Sequence, residues 1–176
     1  MNPPAPWRAL LKRKLQGVHS AVVLGIGNLQ KGDDGAGTAC AERIAGALTR
    51  GKRRRIEAIP AGEVPENYTG TIRRFKPSHV VIIDACGARK APGSIFLIEP
   101  SAIVDADATT HRMPLSMLVR YLEETVGCRV VVIGIEPQSL DRCHALSAPV
   151  GRAVDRLARF LTSCLGEHGT PNAGKG

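Results

Sequence analysis

The stretch Ala21-Val22-Val23-Leu24-Gly25-Ile26-Gly27-Asn28, with Leu29 to Gly37 behind it, constrains the fold more than any other part of the chain. A run of buried-type residues ends in glycines and an asparagine. Two adjacent carboxylates, Asp33 and Asp34, then stand where a helix begins, since Ala36, Ala39, Cys40, Ile44, Ala47 and Leu48 recur beyond them at helical spacing. The pattern predicts a strand, a tight loop and an acidic helix start. In an open α/β sheet, ligands bind in the crevice beyond the carboxyl ends of the strands, so this carboxylate pair is placed for chemistry.

Four more segments have strand character. Residues 54–59 alternate charged and apolar side chains, and Pro60-Ala61-Gly62 is expected to end that strand. His79 to Asp84 contains four consecutive β-branched residues, which predicts a central parallel strand buried on both faces and ending in a carboxylate. Ser94 to Ile98 follows a connection too short for a covering helix and is expected to pair locally, antiparallel to its neighbour. Arg129 to Ile135 is a further buried strand, broken by Glu136-Pro137. Helices are expected at 7–16, 35–49 and 65–74. Two more follow from the stripes Leu115, Leu118, Val119, Leu122, Val126 and Val150, Val154, Leu157, Ala158, Leu161, Leu165. His111 falls in the loop just before the first of those stripes. The result is an α/β fold, a three-layer α/β/α sandwich around a mostly parallel, mixed sheet of about five strands.

A chain of 176 residues suits one domain with a full core. We place it at 19–165. Residues 1–18 form an N-terminal extension that reads as an appendage, and 166–176 form a tail without core formers, expected to be disordered.

The net charge of +8 invites a nucleic-acid reading. It comes largely from Arg8, Lys12, Arg13 and Lys14 and from Lys52-Arg53-Arg54-Arg55, and no aromatic residues interleave with either cluster as a stacking platform requires. A solvated basic face, or attraction to an acidic protein partner, fits better than nucleic acid. No stretch approaches the roughly 20 apolar residues of a membrane span, and the N-terminus has no apolar signal-type run, so a cytoplasmic location without membrane contact is expected. With no heptads or exposed apolar stripe, a monomer is expected. The five cysteines are scattered without a CxxC pair, indicating neither a disulfide framework nor a zinc site. The glycines do not form a nucleotide motif: Gly25 to Gly32 is not GxGxxG, and Asp33 follows Gly32 where a P-loop has lysine.

Three polar residues collect at the predicted carboxyl edge: Asp34 at the first helix start, Asp84 at the end of the central strand and His111 ahead of a later helix. Two carboxylates and an imidazole suit a divalent first-row ion such as nickel, iron or zinc. Each also has a plainer role open to it. Asp33 or Asp34 can favour a helix N-terminus, Asp84 can close a strand and His111 can satisfy a loop carbonyl. Asn28 is either a turn residue or a donor to a bound backbone. Glu66 and Asn67 read as a helix-start pair. Cys86 reads as a core or rim cysteine, because a nucleophilic thiol needs a base or cation that the sequence does not supply.

The blocks Leu24-Gly25-Ile26-Gly27-Asn28, Gly32-Asp33-Asp34-Gly35-Ala36-Gly37, Pro65-Glu66-Asn67, Val81-Ile82-Ile83-Asp84-Ala85, Thr109-Thr110-His111-Arg112-Met113-Pro114-Leu115 and Gly134-Ile135-Glu136-Pro137 together resemble the hydrogenase maturation endopeptidases. Within that family the chain is most similar to the branch serving hydrogenase 3 of the formate hydrogenlyase type. The resemblance spans about residues 20–163, in order. It implies a phosphorylase/hydrolase-like fold. It also implies a cytoplasmic endopeptidase that removes a C-terminal extension from the precursor of a [NiFe] hydrogenase large subunit after nickel insertion. The family's metal-binding positions fall on Asp34, Asp84 and His111, and nickel is expected to arrive with the substrate. Many members carry glutamate where this chain has Asp34. Two other readings stand beside it: a hydrolase like peptidyl-tRNA hydrolase, which shares the Gly-x-Gly-Asn start, and a non-catalytic chaperone that checks its partner for nickel.

Overall fold

A computed structural model describes residues 6–48, 55–103, 113–140 and 145–167. His111, Cys143, the cluster Lys52-Arg53-Arg54 and the tail from 168 onward lie outside the described residues. Five strands form one sheet: β1 (Ala21–Ile26), β2 (Ile56–Gly62), β3 (His79–Ala85), β4 (Ile95–Ile98) and β5 (Arg129–Ile135), in the order β2-β1-β3-β5-β4. The pairs β1–β2, β1–β3 and β3–β5 are parallel, and β4 runs antiparallel against β5. The expected mixed sheet of five strands is therefore present.

Alternation along the strands sorts the core into two layers. Val23, Val81, Ile83, Ile133 and Ile135 face α1 (Pro6–Lys14), α2 (Ala36–Ala47) and α5 (Ala148–Glu167). Val22, Leu24, Val80, Ile82 and Val132 face α3 (Thr69–Phe75) and α4 (Leu115–Tyr121) through Ile72, Leu118 and Val119. The sandwich has three layers.

Two details differ from the sequence expectation. Strand β2 continues through Pro60, which lies opposite Gly25, to Gly62, with a register shift between Gly25 and Ile26. An edge strand tolerates proline because the missing N–H faces away from the ladder. Helix α1 is packed firmly onto the domain: Trp7, Leu11 and Leu15, spaced by four, are buried in the same cluster as α5. The Trp7 ring meets Phe160 edge-on at 5.1 Å, and the Arg8 guanidinium lies over both rings. Burying a leucine side chain contributes about 1.5–3 kcal/mol, so this stripe holds a nine-residue helix that would not persist alone.

Helix α2 approaches the sheet closely because glycines line the contact. A Cβ on Gly37 would run into the carbonyls of Ile83 and Ile26, and one on Gly27, whose φ is +115°, into the carbonyl of Asp34. The glycines flanking the acidic pair therefore seat the start of α2 directly over the carboxyl ends of β1 and β3.

Candidate functional site

Going from β1, the chain crosses to β2 on one side and to β3 on the other, so the order reverses between β1 and β3. That switch point is where an open α/β sheet opens a crevice. Asp34 leaves β1 on one wall and Asp84, opposite Gly134 of β5, ends β3 on the other, with Gly37 packed between the two strand ends. Both side chains are half-buried. The structure thus brings two of the three predicted site residues to one crevice.

The adjacent carboxylates have different partners. Asp33 is 3% exposed and spends both oxygens on the segment after β5. Its Oδ1 accepts the Ser147 N–H at 2.7 Å, and its Oδ2 accepts the Gln138 N–H at 2.8 Å and the Ser147 hydroxyl at 2.9 Å. Several donors to one buried carboxylate make a strong clamp across more than a hundred residues of sequence. Asp34 takes the Asn28 backbone N–H on Oδ2 at 2.7 Å. Both acids lie in the first turn of the short helical segment Gly32–Gly35, where negative charge favours a helix N-terminus, and that segment has no side-chain cap. Asn28 is a turn residue whose polar groups are used within the protein, donating from its side chain to Glu63 at 2.9 Å.

Beyond Asp84, burial first, then the Asp84 and Glu136 carboxylates, pushes the Cys86 thiol up from its ordinary range. A thiol held protonated is a poor nucleophile. Glu136, only 7% exposed, accepts the Ala88 N–H at 2.7 Å and so ties the turn after β3 to the end of β5. Sequence reasoning missed the roles of Asp33, Glu63 and Glu136. The available signal was a charge placed directly after a buried strand, at Glu136, and a doubled acid, of which only one is needed as a ligand. Glu66 lies on a short helical turn, Pro65–Tyr68, at the same edge, with Oε2 buried and unpaired.

Among the described residues no three His, Cys, Asp or Glu side chains are grouped to hold an ion. Two carboxylates alone offer hard oxygen ligands, and His111, the third predicted ligand, lies outside the described residues. An open groove of about 380 Å³ lies elsewhere, between α2 and α5, beside the Arg43–Asp155 ion pair, and contains none of the predicted site residues. No described helix is long and apolar enough to cross a membrane.

Known proteins match the chain in sequence and in overall fold. Residues 39–163 match the family model for hydrogenase maturation protease. The Hydrogenase 3 maturation protease of Escherichia coli K12 is 34% identical over 149 residues, which is 84% of this chain and 92% of that one. The crystal structure of a [NiFe] hydrogenase maturation protease HycI from Thermococcus kodakarensis superposes with a TM-score of 0.80 at 30% identity, covering 89% of this chain and 99% of the other. The solution structure of the endopeptidase HycI from Escherichia coli gives a TM-score of 0.71 at 33% identity over 88% and 97%. A family model over most of the chain, a relative at 34% identity and solved structures with the same fold place the chain in the hydrogenase maturation protease family, and it is a peptidase.

Proposed function

We propose that this peptidase removes the C-terminal extension of a [NiFe] hydrogenase large-subunit precursor, in the cytoplasm and as a monomer, and that nickel already inserted in the precursor is what it reads. Asp34, Asp84 and His111 are the residues assigned to hold that part of the substrate. The observation that carries the assignment is the convergence of the Asp34 loop and the Asp84 strand end on one crevice, with Gly37 seated between them.

Hydrolysis adds water to the scissile carbonyl carbon, breaks the C–N bond and delivers a proton to the leaving amine. The chain's part is first positional. The Asp34 and Asp84 carboxylates at the crevice, together with the His111 imidazole, fix the nickel-bearing segment, so the neighbouring peptide bond is presented in one pose, and proximity of that kind lowers a barrier by several kcal/mol. A carboxylate not engaged with the substrate's ion can accept the proton of the attacking water.

The test is to incubate the protein with nickel-loaded and nickel-free precursor and to follow precursor mass. Loss of a C-terminal peptide from the loaded form alone, abolished by His111→Ala in a protein that keeps its melting temperature, is the expected result. Equal cutting of both forms would remove the nickel-reading part of the proposal. Normal cutting by His111→Ala would remove the assigned site.

A further inference from the structure

The loop carrying Asp34 is tied down by a residue in the neighbouring loop. Glu63 directly follows Gly62, whose carbonyl accepts the Gly27 N–H at 2.9 Å. Its Oε2 accepts the Asn28 side-chain N–H at 2.9 Å, and its Oε1 accepts the Lys31 ammonium at 2.7 Å. Every polar group of Asn28 is then in use. Nδ2 donates to Glu63, Oδ1 accepts the Gln30 N–H at 2.8 Å, the carbonyl accepts the Lys31 N–H at 3.0 Å, and the backbone N–H donates to Asp34 at 2.7 Å.

The chemistry of Glu63 fixes this arrangement. A carboxylate only accepts, so Nδ2 must face it, and Oδ1 is left for Gln30. Held at both ends of its side chain, Asn28 has one backbone orientation, and that orientation aims its N–H at Asp34. Stability is a weak reason for such a tie. The Glu63 and Lys31 side chains are 28% and 44% exposed, and ion pairs of that kind contribute about 0–1 kcal/mol.

We propose that Glu63 is a positioning residue for the cleavage reaction: acting through Asn28, it holds the Asp34 carboxylate in a single orientation at the crevice. The inference rests on the assignment of Asp34 to the cleavage site.

The experiment compares wild type, Glu63→Ala, Glu63→Gln, Asn28→Ala, Lys31→Met, the Glu63→Ala/Asn28→Ala double variant and Asp34→Asn. Steady-state cleavage of the nickel-loaded precursor is read together with hydrogen exchange at the Asn28 amide. Glu63→Ala is expected to lower kcat about tenfold with KM nearly unchanged, as a misaimed catalytic group does, and to speed exchange at Asn28 by about tenfold as the local hydrogen bond loosens. Glu63→Gln keeps one oxygen for Nδ2 and recovers most of kcat. Lys31→Met leaves the Asn28 tie intact and costs less than Glu63→Ala. Asn28→Ala costs as much as Glu63→Ala, and the double variant costs no more than either, because the two act through one contact. Unchanged kcat and exchange in Glu63→Ala, or losses that add in the double variant, overturn the inference while leaving the site assignment intact. Undiminished cleavage by Asp34→Asn overturns the site assignment, and the positioning role falls with it.

Discussion

The two ends of the sheet are both polar, but they are organised differently. At the amino end, the Ser78 hydroxyl accepts the Ser20 N–H and donates to the Ser20 carbonyl at 2.7 Å, while the Ser20 hydroxyl accepts the Ser78 N–H at 3.0 Å. The Arg129 N–H donates to the Ser78 carbonyl, so the starts of β1, β3 and β5 are stitched to one another. Partners there are immediate neighbours across the sheet or along the chain, and the hydroxyls bond to backbone and to the His19 and His79 rings. At the carboxyl end the polar groups are carboxylates, reached by loops from distant parts of the chain, with Asp33 fully engaged in structure and Asp34 beside it held by the Asn28 N–H. A closed network of neutral groups stabilises strand starts. A ring of charges supported by other residues can receive a ligand.

The sharpest way to separate the two ends is to remove charge from the crevice without changing shape. Asp34→Asn and Asp84→Asn are each expected to slow cleavage about a thousandfold, on the order of 4 kcal/mol in the barrier, with melting temperatures near wild type. A precursor mass assay and a thermal melt check both. Asp33→Ala should do the reverse. Stranding the Ser147 and Gln138 donors beside a vacated carboxylate costs about 3 kcal/mol of stability, visible as a lowered denaturant midpoint, while the Asp34 and Asp84 carboxylates stay in place.

Gly37→Ala comes next. It forces α2 off the carbonyls of Ile83 and Ile26 and is expected to cost about 2 kcal/mol. A substrate-independent drop in melting temperature reports it, accompanied by weaker cleavage because the two lips separate. The smallest effect lies at the amino end. His79 is 3% exposed, its Nε2 is buried without a partner, and burial, with Arg129 and His19, lowers its pKa from the ordinary value of about 6.5. The native state therefore binds fewer protons than the unfolded chain once the pH falls below that value, and stability declines from there toward the folded pKa. His79→Gln should flatten the stability profile below pH 6.5, measured by urea midpoints, without moving cleavage at pH 7.

The parts of the molecule legible in the sequence are those governed by short-range pattern. The β-branched runs at 79–84 and 129–135 became β3 and β5, and the stripe from Val150 to Leu165 lies within α5. Asp34 and Asp84 were legible as candidates because a carboxylate at a strand end or helix start is visible without knowing its neighbours. The structural role of Asp33 was hidden, since its partners lie more than a hundred residues away and contacts at that distance leave no periodic trace. Glu63 was hidden for a related reason: its partner Asn28 is on another strand's loop. Helix α1 was underrated because Lys12, Arg13 and Lys14 dominate its composition, whereas its burial depends on Trp7, Leu11 and Leu15 alone.

One paired measurement tests the proposed site most directly. Asp33→Asn and Asp34→Asn differ by one position and remove the same charge, and each is incubated with nickel-loaded precursor at a temperature where both are folded. The account predicts C-terminal trimming by Asp33→Asn within about tenfold of wild type, against no detectable trimming by Asp34→Asn, the remaining activity reflecting an intact ligand set. Comparable trimming by both variants, or loss in Asp33→Asn alone, would contradict it.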